Sequence, residues 1–344
     1  MTKFIQLHLL TSYPPANLNR DDLGRPKTAI MGGSERLRIS SQSLKRHWRT
    51  AELFEESLAD HLGTRTKRLG IEVFNELVKL EVAKKQAQEW AIDIANVFGK
   101  AKKDSLEIEQ LAHISPAEWD AVKTLVKVLA NEQRPPLAEE LNLLRKDQTA
   151  VDIALFGRML ASSPVFNVEA ACQVAHAISV HSVTVEDDYF TAVDDLNDGN
   201  DDLGAAHIGE AGFAAALFYS YICIDKGLLI DNLGGNQALA EQALRALIET
   251  AVKVSPKGKQ NSFASRAYAS YVLVEKGRQQ PRSLSVAFLK AVDDKDMASA
   301  AIDSLQQHYA NLDHVYGDCA DQRYSLNALT GEGRLTELLD FIAS

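Results

Sequence analysis

The sequence is poor in the residues that build redox and metal centres. Its three cysteines, Cys172, Cys223 and Cys319, lie far apart in a chain of 344 residues, with no CxxC spacing. An odd, scattered set fits buried thiols in a reducing compartment better than a disulfide framework or a zinc site. The nine histidines form no HExxH, and His176 and His181, read on one strand, have opposite parity and face opposite ways. No metal and no other cofactor is expected. GxxxxGK[ST], GxGxxG and GxSxG are also missing, which removes the common nucleotide-loop and hydrolase signatures. No apolar run approaches the ~20 residues that cross a bilayer. The opening MTKFIQLHLLTSY reads as a strand over residues 4–10, not as a signal peptide. The expectation is a cytoplasmic protein with no membrane partner.

What the chain has is charge, unevenly spread. The net charge is -10, yet residues 17–50 hold eight cations (Arg20, Arg25, Lys27, Arg36, Arg38, Lys45, Arg46, Arg49) against Asp21, Asp22 and Glu35. Residues 184–224 hold nine acids and no Lys or Arg. Charge acts locally, so an acidic total does not exclude a polyanion bound at the basic end.

The apolar pattern predicts a strand at 3–11, then a loop through Gly33. A helix runs from Ser41 to about Leu62, capped by Ser40 or Ser41, with Leu44, Trp48 and Ala51 on its inner face. Helical period at 72–98, 118–131 and 137–146 makes residues 66–146 a helical insertion, broken at Pro135-Pro136. Strands are expected at 150–159, 173–185 and 213–224. The Asp-rich stretch 186–212 between the last two reads as a projecting hairpin. A helix at 237–253, a Gly/Lys loop at 255–262, a strand at 267–275 and helices near 284–291, 296–311 and 334–342 follow. With the insertion and hairpin removed, the order is β-α-β-β-α-β, an α+β fold of the ferredoxin-like, RRM-like kind.

On the helix beginning at Ser41, Gln42, Lys45, Arg46 and Arg49 fall within an arc of about 100°. The Ser40–Ser43 hydroxyls and free N–H groups lie at the positive end of its dipole, an anion site. The preceding loop adds Asn19, Arg20 and Lys27, and Gly32-Gly33 permits close backbone approach to a ligand. Cations spread this widely suit a polyanion, whose phosphates position without being read. The bland alternative is a solvated amphipathic helix with a serine cap. Asp194-Asp195 and Asp201-Asp202 read as a solvated acidic loop before a Mg²⁺ or Ca²⁺ site.

The string 17-NLNRDDLGRPKTAIMGGSERLRISSQSLKRHWR-49 resembles the N-terminus of CasC-type proteins, the repeated backbone subunits of the type I-E CRISPR Cascade complex. The SSQSLKR run carries most of the likeness. Further similar pieces are 151-VDIALFGRM-159, 175-AHAI-178, 190-FTAVDDL-196, 206-AHIG-209, 233-LGG-235 and 259-KQ-260.

The resemblance implies an RRM-like palm over residues 1–65, 147–185 and 213–344, the last with C-terminal helices. It also implies a helical fingers domain at 66–146 and a hairpin thumb at 186–212. Copies would stack head-to-tail along the spacer of a CRISPR guide RNA, beside other Cascade subunits. Each thumb would flip out one guide base and leave the rest to pair with target DNA. Carried over by position, the guide-backbone contacts are Asn19, Arg20, Lys27, Ser40, Gln42, Lys45 and Arg49, with Arg46 next and Lys259 in the KQ pair. Val165 or Phe166 would pack on a base, and Leu203 or Ile208, both apolar at the rim of the acidic loop, would wedge between bases. The subunit would be non-catalytic. The alternative is a type III-like subunit that cleaves bound target RNA through Asp21 or Asp22. The charge pattern adds an expectation that the acidic thumb, through Asp201 and Asp202, docks on the neighbouring copy's basic loop.

Overall fold

The computed structural model describes residues 3–102, 105–146, 150–192 and 207–343. In chain order the first elements are β1 (Phe4–Ala16), β2 (Thr28–Met31), β3 (Ser34–Ile39), α1 (Ser41–Arg49), α2 (Glu52–Leu58) and β4 (Thr64–Thr66). Then come α3 (Leu69–Lys79), α4 (Lys84–Phe98), β5 (Ala112–Ile114), α5 (Pro116–Glu132) and α6 (Val151–Phe156). Strands β6 (Cys172–Val174), β7 (Ala177–Ser179), β8 (Glu186–Ala192) and β9 (His207–Asp225) precede α7 (Lys226–Asn232) and α8 (Gln237–Lys253). The chain ends with α9 (Gln260–Phe263), β10 (Tyr271–Gly277), α10 (Met297–Tyr316), β11 (Gln322–Asn327) and α11 (Leu335–Ala343). Among the described residues, no helix is long and apolar enough to cross a membrane.

The chain divides into two compact units, the first comprising residues 1–51, 174–223 and 247–344. Its sheet runs in the order β11-β10-β1-β9-β7-β3-β2, so this is a mixed α/β protein. The pairs β1/β10, β10/β11, β2/β3, β3/β7 and β7/β9 are antiparallel. Strands β1 and β10 are covered on both faces: Ile5, Leu7 and Leu9 are buried, and so are Gln6 and His8 on the opposite face. Tyr271, Leu273, Phe288, Leu305 and Tyr219 form one core with Leu10.

That doubly covered sheet also carries charge. Glu275 of β10 is fully buried and bound by Arg282 and by Arg323 of β11, at 2.7 Å in the second case. Arg323 also reaches Asp313 of α10. His8 of β1 takes a hydrogen bond from the Tyr219 hydroxyl at Nδ1 (2.8 Å) and donates from Nε2 to Glu275 (3.3 Å). Burial alone would raise the Glu275 carboxyl, but the hydrogen bonds from His8 and Arg282 and the charge of Arg282 hold it well below the usual carboxylate range. Burial lowers His8 from 6.5 despite the bond to Glu275, which keeps the ring neutral.

The second unit comprises residues 52–173 and 224–246. Leu69, Val73 and Leu77 of α3 pack with Trp90, Ile94 and Phe98 of α4 and with Val122, Val126 and Leu129 of α5. Ser115 and Glu118 form a reciprocal capping box at the start of α5, which satisfies two otherwise orphaned N–H groups. Glu118 is also the buried partner of Arg158, at 2.7 Å with both side chains almost fully enclosed.

Several sequence expectations change here. The helix from Ser41 ends at Arg49, where the Thr50 hydroxyl binds the Arg46 carbonyl, and α2 starts afresh at Glu52. Residues 72–98 form two helices, separated at Glu81, whose φ is +66°. Residues 137–146 form turns rather than a helix. Within the expected strand at 150–159 lies the helix α6: residues 151–155 are all buried, Asp152 included, so neither period shows and period could not decide it. Strands β2, β3 and β11 had not been expected as strands, and residues 173–185 yield only two short ones.

Candidate nucleic-acid interface

Three segments of the first unit supply the candidate face. The first is the connection between β1 and β2. Asp21 Oδ1 accepts the N–H groups of Leu23 and Arg25, each at 2.9 Å, and this side-chain-capped turn fixes the loop's shape. That oxygen is engaged by the loop's own backbone, and Asp22 stands exposed beside it. Arg20 is exposed, while Lys27 is half-buried. Asn19 Oδ1 accepts from the Ser40 N–H at 2.8 Å and ties the loop to the start of α1.

The second segment is α1. Ser40 is its N-cap and accepts from the Ser43 N–H. Its hydroxyl is buried and committed to that cap. Leu44 and Trp48 face the core, leaving Gln42 and Arg46 exposed and Lys45 and Arg49 partly so. The expected cationic stripe is therefore present. His47 Nδ1–H donates to the Ser43 carbonyl at 2.6 Å. Burial lowers its pKa against that bond, aided by the charges of Lys257 and Arg46.

The third segment is the loop carrying Lys257 and Lys259, both exposed. A Cβ on Gly258 would lie 2.2 Å from the Leu18 carbonyl and 2.6 Å from that of Asn17. Only glycine allows this loop to rest on the end of β1. Lys259 thus joins the other cations, and so does Lys257, which the sequence reading had not singled out. Its signal was the Lys-Gly-Lys spacing around the glycine.

Other cations of the basic segment have different duties. Arg36 is 0% exposed. Its guanidinium donates to the carbonyls of Ser179 (3.0 Å) and Phe288 (3.1 Å), and burial lowers its pKa. Gly32 and Gly33, with φ of +59° and +76°, form the two-residue turn of the β2–β3 hairpin, as primed turns require. A Cβ on Gly32 would strike the Leu289 carbonyl at 1.7 Å. The close approach made by Gly32 is to the protein's own backbone rather than to a ligand. Arg38 contacts His176 Nδ1 at 2.9 Å; burial first, then the charges of Arg38 and Lys27, lowers that histidine.

Strands β8 and β9 pair antiparallel from Glu186↔Phe213 to Ala192↔His207, so the acidic segment is a hairpin at its described end. Leu203, Asp201 and Asp202 lie outside the described residues. Ile208 lies opposite Thr191. Tyr189 and Phe190 are exposed large side chains on β8, and the Phe190 ring lies over Gly209, where a Cβ would be 2.4 Å from it. These two aromatics in a polar stretch were the legible signal that the reading passed over. Asp187 pairs with Arg25 of the same chain at 2.8 Å.

In the second unit, Phe166 is partly buried against the helical core, so its ring is a packing group. Its carbonyl accepts from Arg158 at 3.1 Å. Met159 (77% exposed) and Val165 (69% exposed) are the apolar side chains that this stretch presents outward. Among the described residues, no group of three or more His, Cys, Asp or Glu side chains is placed to hold a metal ion.

The first unit thus presents cations from three segments beside a hairpin with exposed aromatics. The chain belongs to the CT1975-like protein family, whose sequence model matches residues 5–338. It is similar to a chain of a CRISPR RNA-guided surveillance complex, pre-nicking, with 29% identity, 99% of each chain covered and a TM-score of 0.84. A chain of another CRISPR RNA-guided surveillance complex shares 26% identity over 99% of this chain and 98% of that one, with a TM-score of 0.63. No curated protein matches.

Proposed function

We propose that this protein is a non-catalytic guide-RNA-binding backbone subunit of a Cascade surveillance complex of type I-E. The observation that carries the reading is the convergence of Arg20, Lys27, Lys45, Arg46, Arg49, Lys257 and Lys259 from three segments. One phosphate needs fewer cations, and a polynucleotide offers phosphates in series. Similarity to chains of RNA-guided surveillance complexes over nearly the whole length supports a CRISPR guide as that polynucleotide.

In this reading the sheet unit is an RRM-like palm, the helical unit contains the fingers and the β8–β9 hairpin is the thumb. Arg20, Lys27, Gln42, Lys45, Arg46, Arg49 and Lys259 touch the guide backbone. Asn19 and Ser40 act beneath them, by fixing the loop to the helix. Of the two residues the resemblance offers for base packing, Val165 takes the role rather than Phe166, and Met159 joins it. Phe190 and Tyr189 join Ile208 and Leu203 as thumb residues that part the bases. Copies repeat head-to-tail along the spacer, and a contact that does not close into a ring makes such a filament. Target DNA is then read by pairing with the guide rather than by the protein, as in another RNA-guided effector.

The test is to express the chain with guide RNA and the other complex subunits, then size the RNA that survives nuclease. Protection of a discrete guide in regular steps supports the reading. Random lengths, or no RNA, overturn it.

A further inference from the structure

The root of the β8–β9 hairpin is held from both faces, and neither hold depends on the cations assigned to the guide. On one face, Asn17 is 1% exposed. Its side-chain amide donates to the Gly24 carbonyl of the basic loop and to the Gly212 carbonyl of β9, both at 2.9 Å. The amide orientation is fixed by these two acceptors, because a flipped side chain would turn its own oxygen toward them. A Cβ on Gly212 would lie 3.1 Å from Pro26 Cδ and 3.3 Å from Val185 Cγ1. The Arg25–Asp187 pair closes the same side. Adjacent strand residues face opposite ways, and Phe213 meets Phe263 of α9 with ring centroids 6.0 Å apart. The hairpin therefore leaves the sheet between the two loops that carry Arg20 and Lys27 on one side and Lys257 and Lys259 on the other.

Resting on the guide-binding reading above, we propose that Asn17 is a positioning residue that sets the angle of the hairpin over the phosphate track. It fixes which guide base is displaced without itself binding phosphate. Hairpin angle and phosphate affinity are then separable. The amide joins loop to hairpin through neutral hydrogen bonds, whereas affinity resides in cations on the outer surface. The arrangement also makes the acidic hairpin a cis partner of the basic loop at its root, through Asp187 and Arg25.

The experiment uses the full chain assembled with guide RNA and partner subunits, with chemical modification of the guide bases and a salt titration of RNA affinity as readouts. Asn17→Asp keeps the size of the side chain but turns an acceptor toward two carbonyls. It should leave affinity within about threefold and the salt slope unchanged, since it removes no cation. It should also blur the periodic pattern of reactive bases. Lys45→Ala should do the reverse, lowering affinity with the pattern intact in the complexes that form.

A sharp pattern in Asn17→Asp overturns the proposal, as does a fall in affinity and slope matching Lys45→Ala. Should that variant fail to assemble, Gly212→Ala presses the same root against Pro26 and leaves every cation in place. Blurring there supports the proposal, and an unchanged pattern overturns it. A wild-type guide with no periodic pattern refutes the guide-binding reading itself and takes this positioning role with it.

Discussion

The arginines around Glu275 and the cations of α1 belong to the same unit and serve opposite ends. Arg282 and Arg323 converge on one buried carboxylate, and Asp313 takes the outer side of Arg323. Their charge is consumed in joining β10, β11 and α10. On α1, Gln42 and Arg46 are exposed and Lys45 and Arg49 partly so, and the cations Arg46, His47 and Arg49 gather in its last turn. The difference shows that the count of cations says little about function. What matters is whether the fold encloses them around a buried carboxylate or leaves them at the surface.

The largest effect should come from breaking the internal side of this contrast. Glu275→Gln takes the carboxylate from Arg282 and leaves Arg323 with Asp313 alone. Removing one partner of a buried pair costs about 3–5 kcal/mol, so thermal unfolding should move sharply down while the folded fraction keeps its RNA affinity. Glu118→Gln in the helical unit should lose at least a comparable amount, since Arg158 is more fully enclosed than Arg282 or Arg323.

The pH dependence follows from the same buried groups. The folded-state pKa of Glu275 is depressed, so its contribution is complete above the ordinary value of 4.5 and is lost as pH falls from there toward the folded value. His8 is also lowered. The unfolded chain therefore takes up its proton first, and stability should begin to fall below pH 6.5. Unfolding followed from pH 8 to pH 4 (values chosen to bracket both ordinary pKa values) should show the earlier of these two losses shrink in His8→Gln. Arg25→Gln should have the smallest effect. Arg25 and Asp187 are both about half exposed, and such pairs are worth at most about 1 kcal/mol.

The sequence made one side of this comparison readable. The stripe Gln42, Lys45, Arg46 and Arg49 followed from helical period, and so did the burial of Leu44 and Trp48. The cap at Ser40 was legible because a hydroxyl stood just before the apolar pattern. Arg36 was not separable from its neighbours, since only the fold shows that β7 and the segment at Phe288 supply carbonyls to it. The placement of Lys257 depends on a contact between residues some 240 positions apart, which local pattern cannot carry. Helix α6 was misread because six apolar or buried residues in a row contain no period. Phe166 looked available for stacking, but its neighbours Met159 and Val165 are the exposed side chains, and turn geometry decided between them.

The central claim is that the outer cations hold RNA by its phosphates. The most direct measurement is a salt titration of binding for two RNAs of equal length and unrelated sequence, comparing wild type with Lys45→Ala. For both RNAs the account predicts a weaker complex and a log–log salt slope shallower by about 0.7 per lost contact. An unchanged slope, or a loss confined to one sequence, would contradict it.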